Sequence, residues 1–149
     1  MAHPADLDEF TVYVDKFTAR LGFDDIVATL GLKPHAVDSD SISMSMQLTE
    51  PLSQATGMFS AAALFGAADI TGTFLAMQAY AGTGQFPLAV QSNLNFMSNS
   101  KASPAIATAR ILRGGGSVAV AEVAVRDADG KELVHSTFTY VIKERNVGK

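Results

Sequence analysis

The sequence predicts an α+β fold in which an antiparallel β-sheet wraps around one long, buried helix. A long apolar segment at residues 60–80 lies within positions 51–100, which hold a single charge, Asp69. One run before this segment and four runs after it alternate apolar and polar residues, as half-buried strands do. Hairpin-like links between the later runs imply antiparallel pairing. At this length we expect one domain, residues 1–149.

The first part of the chain is predicted to be helical over residues 5–30. Gly22 interrupts this helical region, and Asp24 is predicted to cap a short second helix. The core, 33–143, then begins with one strand, 41–48, in which serine and glutamine alternate with apolar residues. The first helix carries one apolar stripe at three- and four-residue steps, formed by Phe10, Tyr13, Val14, Phe17 and Leu21.

The segment 60–80 is predicted to be a helix that is buried nearly all round, because it is apolar on nearly every face. Ser60 is an acceptable N-cap, and 82–84 is a plausible stop. A four-stranded meander is expected after it, and residues 143–149 are predicted to be a frayed tail. The predicted strands of the meander cover residues 88–96, 105–112, 118–125 and 132–142.

Composition excludes several classes of function. The absence of cysteine excludes a catalytic thiol, a thiolate zinc site and an iron–sulfur cluster, and it is typical of a reducing compartment, so a cytoplasmic location is expected. A net charge of -4 without a basic cluster argues against nucleic-acid binding. No secretory signal is visible. A membrane span at 60–80 is disfavoured, because Asp69 at its centre would cost about 3 kcal/mol.

Asp69 is the most informative residue. A carboxylate on a helix that is buried on most sides costs several kcal/mol if it is ionised and unpaired. No Lys or Arg lies near it in sequence. Either Asp69 faces solvent or a hydrogen-bonding core partner, or it is a general base or nucleophile whose pKa burial has tuned.

The start of the same helix adds a second feature. The residues from Gln54 to Ala62 lead directly into the helix, and several of them are small. Free backbone N–H groups at a helix start can stabilise a developing oxyanion. An ordinary loop with an N-cap is the alternative interpretation.

The stretch from Gln54 to Asp69 resembles the signature of hotdog-fold acyl-CoA thioesterases, especially the PaaI-like, phenylacetyl-CoA group. Those read approximately N-x-x-G-x-x-H-G-G-x-x-x-x-x-x-D, with the acid on the central helix. The fifteen-residue gap is kept, whereas the histidine and both glycines of the motif are replaced. The 4-hydroxybenzoyl-CoA thioesterases of the Arthrobacter type, which carry Gln at the first place, are also similar. The matching residues here are Gln54, Gly57, Ser60, Ala61, Ala62 and Asp69.

The resemblance implies a hotdog fold and hydrolysis of an acyl-CoA thioester at the interface of a homodimer or homotetramer. Asp69 would activate water or attack the carbonyl, and Gln54 would position that water or polarise the carbonyl. The Ala61 N–H would stabilise the oxyanion with weak support from Ser60. Substrate contacts would come from Gly57, Phe59, Ala62 and Ala89.

Coenzyme A enters as part of the substrate, and no other cofactor and no metal are expected. The histidines form no metal-spaced motif, and the turn at 127–130 matches a hairpin better than a calcium loop. The resemblance places coenzyme A near the strand end at 96–101 and the loop at 113–118. The expected contacts are Phe96, Lys101, Arg113, Gly116 and Ser117.

Two alternatives to a hydrolase remain open. Because Ser60 stands where the motif has histidine, the chain could be a non-catalytic acyl-CoA- or lipid-binding hotdog protein. A hotdog dehydratase or hydratase is less favoured, because those enzymes need a histidine near the central helix and none lies between His35 and His135.

Overall fold

The computed structural model describes residues 3–148 as three α-helices and six β-strands. A short 3-10 turn at Glu50–Leu52 precedes the longest helix. The helices are α1 (Leu7–Leu21), α2 (Ile26–Leu30) and α3 (Ala61–Tyr80). The strands are β1 (Lys33–Val37), β2 (Ser41–Met46), β3 (Gln85–Phe96), β4 (Ala105–Gly114), β5 (Val118–Arg126) and β6 (Glu132–Glu144).

Helix α3 lies on one face of a single six-stranded antiparallel sheet, which confirms the predicted α+β, hotdog-type layout. Its many small residues let it approach the strands closely, as at Gly72, where an added β-carbon would overlap the hydroxyl of Tyr140. The helix bounds agree with the predicted 60–80, and Ser60 is its N-cap. No helix within residues 3–148 combines the length and hydropathy that a bilayer-spanning helix needs.

The order of the strands corrects the predicted meander. The sheet order is β1-β2-β4-β5-β6-β3, so of the four strands in the predicted meander only β4, β5 and β6 follow one another as hairpins. Strand β3 pairs with β6 at the sheet edge, and β4 pairs with β2. The reason is the link 97–104, which is too long for a tight hairpin and carries the chain across the sheet to β2.

The N-terminal part agrees with the prediction in its helices and differs in one strand. The predicted apolar stripe of α1 faces the core, and Gly22 ends α1 in the left-handed conformation with φ 71°. The N-cap of α2 is Asp25 rather than Asp24, with its side chain accepting from the Val27 N–H at 3.0 Å. The chain also forms β1, which the sequence analysis missed because Pro34 interrupts the run; Pro is accepted there because β1 is an edge strand.

Residues 143–148 are more ordered than the frayed tail predicted over 143–149, of which Lys149 lies outside the described residues. Strand β6 continues to Glu144, and the Arg145 N–H donates to the Gly84 carbonyl at 2.8 Å. Further along, Gly148 lies against the backbone of Arg20 at the end of α1. The segment 145–148 therefore folds back beside the carboxyl ends of α1 and α3.

Candidate functional site

The amino end of α3 presents unpaired backbone donors on an exposed turn. The Ser60 hydroxyl accepts a hydrogen bond from the Ala63 N–H at 3.1 Å. Ala61 and Ala62 are exposed, and within residues 3–148 their N–H groups have no acceptor. Because the positive end of the helix dipole lies behind these groups, they form a suitable binding point for a negatively charged oxygen.

The predicted residue Gln54 lies in a tight turn just before α3. Its backbone N–H donates to the Met58 carbonyl and its carbonyl accepts from the Gly57 N–H, both at 2.8 Å. Gly57 adopts φ 84°, which only glycine takes up readily. The side-chain carbonyl of Gln54 accepts hydrogen bonds from the backbone N–H and the hydroxyl of Thr56. The side-chain NH₂ of Gln54 is therefore the group available to donate to a substrate.

The loop 97–104 packs against this turn and brings in Lys101. The Phe59 N–H donates to the Ser100 carbonyl at 3.1 Å. A β-carbon at Gly57 would lie 3.5 Å from the Lys101 ammonium nitrogen, so the exposed lysine lies directly over the turn. Phe59 itself is fully buried, which means that its ring supports the turn from the core side instead of offering a surface to substrate.

Asp127 anchors the loop that carries Lys101, a contact that the sequence analysis did not identify. Its carboxylate accepts from the Ser100 hydroxyl at 2.7 Å and from the N–H groups of Asp129 and Lys131 at 2.9 Å each. The hydrogen bond from Ser100 is the main reason that the pKa of Asp127 lies below its usual value. The Asp-x-Asp-Gly sequence predicted the hairpin turn, which is confirmed, but nothing in it revealed that the turn also anchors the loop carrying Lys101.

Asp69 lies two turns along α3 and is half-buried. Its backbone carbonyl accepts from the Tyr140 hydroxyl at 2.9 Å and from the Thr73 hydroxyl at 2.8 Å. Its carboxylate accepts from the same Tyr140 hydroxyl at 3.3 Å. Burial raises the pKa of Asp69 above its ordinary value, and hydrogen bonding by the two hydroxyl groups opposes that rise. No basic side chain is ion-paired with Asp69 among the described residues.

Tyr140, in the last strand, is the second residue that the sequence analysis did not single out. It is fully buried, and desolvation together with the Asp69 carboxylate raises the pKa of its phenol, which therefore keeps its proton as a donor. A buried tyrosine hydroxyl needs a polar partner. A tyrosine in a strand of the core was therefore the one feature of the sequence that pointed to a polar contact here. Ala89 on β3 is directly opposite Tyr140, so this predicted substrate residue lies beside the Asp69 site.

The five predicted coenzyme A contacts do not come together within one protomer. Lys101 lies beside the Gly57 turn at the amino end of α3, five residues after Phe96, the last residue of β3. Arg113, Gly116 and Ser117 lie in the β4–β5 hairpin, where Gly114 packs against the ring of Tyr80 at the carboxyl end of α3. The two groups are separated by the length of a 20-residue helix, about 30 Å. Within one protomer, the five predicted contacts therefore form two separate groups.

Similarity to solved structures extends over nearly the whole chain. Thioesterase HI1161 from Haemophilus influenzae is 17% identical, with a TM-score of 0.80 over 97% of this chain and 96% of that one. A mutant of thioesterase PA1618 from Pseudomonas aeruginosa is 18% identical, with a TM-score of 0.78 over 92% and 93%. The PaaI protein of the Escherichia coli phenylacetic acid degradation operon is 15% identical, with a TM-score of 0.75 over 93% and 99%. At these sequence identities, the similarity to the three structures is a similarity of fold.

A comparison with curated proteins finds no match. The family model of the thioesterase superfamily matches residues 56–134, which is just over half of the chain. The matched region runs from the turn before α3 through Asp69 to the start of β6. With its six-stranded sheet wrapped on one long helix, this chain belongs to the hotdog-type thioesterase superfamily.

Proposed function

We propose that this protein hydrolyses an acyl-CoA thioester to the free acid and coenzyme A. The observation that carries the proposal is Asp69, a half-buried carboxylate of raised pKa and without an ion-paired base among the described residues. An ionised carboxylate in such a position destabilises the fold, and groups with strongly perturbed environments are concentrated at functional sites. The superfamily of the chain agrees with thioester hydrolysis.

The proposed reaction uses Asp69 as general base or as nucleophile. As a base, Asp69 removes a proton from water while the water oxygen bonds to the thioester carbon. The resulting oxyanion accepts a hydrogen bond from the Ala61 N–H, the carbon–sulfur bond then breaks, and the proton held by Asp69 goes to the departing thiolate. As a nucleophile, the Asp69 carboxylate bonds to the thioester carbon, and the carbon–sulfur bond breaks to release the coenzyme A thiolate. Water then cleaves the resulting anhydride, which releases the acid and returns the Asp69 carboxylate, and a proton from this water goes to the thiolate. The reaction needs no cofactor besides the coenzyme A portion of its substrate.

The spacing of Asp69 and Ala61 argues that each site is made by two protomers. Eight residues separate them on one helix, which corresponds to about 12 Å along the axis. An oxyanion donor and a nucleophile acting on one carbonyl must each lie about 3 Å from the reacting atoms. A single helix cannot meet this requirement, whereas Asp69 of one protomer and Ala61 of another can.

The edge strand β3 supports this two-protomer arrangement. Within residues 3–148 it pairs only with β6, and its exposed residues include Val90, 56% exposed, and Phe96, 51% exposed. An unpaired, apolar edge is a ready template for pairing with another chain. A second copy joined edge to edge would cover these side chains and extend the sheet. The same contact would bring its own helix toward Asp69.

The two separated groups of coenzyme A contacts fit the same proposal. Lys101, with the exposed ring of Phe96, forms one half, and Arg113 with the amides of Gly116 and Ser117 forms the other half. Both groups can hold phosphate through their cations, Lys101 and Arg113. The second group adds the turn amides of Gly116 and Ser117. They would serve one substrate only if supplied by different protomers.

A second candidate function is acyl-CoA binding without hydrolysis. It is favoured by Ser60, whose hydroxyl accepts from the Ala63 N–H and caps the helix, so that polarisation of the thioester rests on backbone donors. Thiol release distinguishes the two candidates. Tight binding of acyl-CoA with no release of free thiol from any acyl-CoA tested would favour the binding protein.

The experiment that tests the proposal combines two variants that each remove one half of a site. Ala61→Pro deletes the N–H while keeping a residue that helices accept at their first position, and Ser60 already has the extended backbone that precedes proline (ψ 149°). Asp69→Asn removes the base. Each variant alone should be nearly inactive, and Ala61→Gly, which keeps the N–H, is the matched control and should stay active.

Mixed dimers of Ala61→Pro and Asp69→Asn contain one site with both an intact N–H and an intact carboxylate. If random exchange produces half of the dimers as mixed, activity should return to about a quarter of the wild-type value. No recovery in demonstrated mixed dimers would contradict the two-protomer site. Full activity of Asp69→Asn alone would contradict the role of the carboxylate and the proposed function itself.

A further inference from the structure

A cavity of about 450 Å³ lies at the end of α3 opposite to the Ala61 turn. Its walls come from the last turns of α1 and α3, from the loop 82–85 and from the segment 145–147. The Arg145 N–H bonded to Gly84 and the packing of Gly148 on the backbone of Arg20 hold this segment in place. We call it the arginine cavity, after the two arginines in its wall, Arg20 and Arg145.

Among residues 3–148, the charge of the arginine cavity is positive without compensation. No Asp or Glu of these residues lines it, although the chain as a whole has a net charge of -4. Within the same range, neither Arg20 nor Arg145 forms an ion pair. The Arg145 Nε is buried and has no hydrogen-bond acceptor, the only buried side-chain polar atom of the described residues in this state. Because such a group costs free energy when it is unpaired, its isolation points to an acceptor that the described residues do not supply.

The rest of the cavity wall combines apolar and polar residues. Phe17 and Met77 contribute side chains from α1 and α3, and the guanidinium of Arg20 lies 6.0 Å from the ring centre of Phe17. Thr83, Gln85 and Asn146 also line the cavity. The Tyr13 hydroxyl adds a donor, and burial raises the pKa of this hydroxyl so that it stays protonated. Planar guanidinium groups match carboxylates well, and the apolar part of the wall favours a ligand with an apolar body.

The helix dipole explains why arginines lie at the carboxyl end of α3, but it does not explain the other features of the cavity. Cations are favoured near the negative end of a helix dipole. This accounts for a positive charge beside Ala81, but it leaves the buried Nε without an acceptor and does not explain an open cavity of this volume.

We propose that the arginine cavity binds a small organic carboxylate that has an apolar or aromatic body. The carboxylate would accept from Arg145 and Arg20, and the body would lie against Phe17 and Met77. This is a second site, at the far end of α3 from the Ala61 turn, and it does not depend on the proposed hydrolysis.

Isothermal titration of the full chain with benzoate, hexanoate, acetate and inorganic phosphate tests the proposal without any acyl-CoA present. Benzoate and hexanoate should bind, and acetate should bind at least tenfold more weakly because it lacks the apolar body. Arg145→Gln and Arg20→Gln should each weaken benzoate binding about tenfold or more. Arg110→Gln removes the same charge from an exposed ion pair on the sheet and should leave the affinity unchanged.

Melting temperatures without ligand separate binding from a structural role. If Arg145 binds the carboxylate, Arg145→Gln should melt close to the wild type, because its Nε makes no hydrogen bond in the free protein. A lowered melting temperature with unchanged benzoate affinity would show that Arg145 only stabilises the helix end, and it would overturn the proposal. Phosphate binding as tight as benzoate, or no binding of benzoate and hexanoate, would overturn it as well.

Discussion

Replacing Asp69 by asparagine should make the protein more stable and catalytically inactive at the same time. The carboxylate is half-buried, no base is ion-paired with it among the described residues, and its hydrogen bond from Tyr140 is long at 3.3 Å. Asparagine has nearly the same shape and can still accept from Tyr140, but it carries no charge. Activity should fall by about 10²- to 10⁴-fold, the usual contribution of a general base.

The gain in stability follows from removing a poorly solvated charge. A buried polar group without full compensation costs about 1–3 kcal/mol in mutational data, and the partial exposure of Asp69 places it at the low end, near 1 kcal/mol. For a domain of this length, about 1 kcal/mol corresponds to about 3 °C in melting temperature. Calorimetry at pH 7, together with release of free thiol from an acyl-CoA, measures both effects on the same preparations.

The pH dependence of the stability is an independent test of whether Asp69→Asn is more stable than the wild type. Because burial raises the pKa of Asp69 in the folded state, the native protein binds more protons than the unfolded chain between the two pKa values. The stability of the wild type therefore falls as the pH rises through that interval. The advantage of Asp69→Asn should be absent at a pH below the unfolded pKa, grow as the pH rises through the folded pKa, and stay constant above it.

Asp127→Asn is the control of opposite sign. Three hydrogen bonds lower the pKa of Asp127, so its carboxylate stabilises the fold above the unfolded pKa, and this contribution is lost as the pH falls through the folded pKa. Asp127→Asn should lower the melting temperature at pH 7. If Asp69→Asn instead melts at or below the wild-type temperature at pH 7, the carboxylate is not strained by burial, and the reasoning from its pKa is refuted.

Three further variants probe the surroundings of the site. Tyr140→Phe removes the hydroxyl that opposes the rise in the pKa of Asp69, so the acid limb of the pH–rate profile should move to higher pH; an unmoved limb would contradict the hydrogen bond. Gly72→Ala adds a methyl group where the Tyr140 hydroxyl lies, and should cost about 1–3 kcal/mol in the free energy of unfolding, measured by denaturant titration, as well as reducing turnover. Lys101→Gln should raise KM for acyl-CoA severalfold with little change in kcat, and added salt should shrink the difference; a changed kcat with constant KM would show a different role.

The central helix could be predicted to within one residue at its start because its sequence left few alternatives. A segment that is apolar on every face must be buried, and Ser60 is the only side chain at the boundary suited to cap it. The strands could also be predicted, because their apolar residues alternate with a period of two. The order of the strands in the sheet could not be predicted, because alternation indicates which face of a strand is buried and not which strand lies beside it. The displacement of β3 to the sheet edge depends on the long link 97–104.

The candidate site also contains some residues that could be found from the sequence and others that could not. Asp69 stood out as the single charge among fifty residues, and the start of α3 was found from its small residues and cap. Tyr140 and Asp127 lie 71 and 58 positions away from Asp69 in sequence, and only the folded sheet brings Tyr140 to it. Contacts between distant segments carry no local signal, so these residues could not be assigned from one sequence.

The proposed two-protomer site connects these results, because it would explain features that are unfavourable in a lone chain. A poorly solvated charge and an exposed apolar edge strand each lower the stability or solubility of a monomer. Edge-to-edge pairing would cover β3, carry the helix start of one copy toward Asp69 of the other, and allow the two phosphate-binding groups to act on one substrate. The eight-residue spacing between Ala61 and Asp69 therefore implies that folding and assembly are both needed before the proposed chemistry can occur.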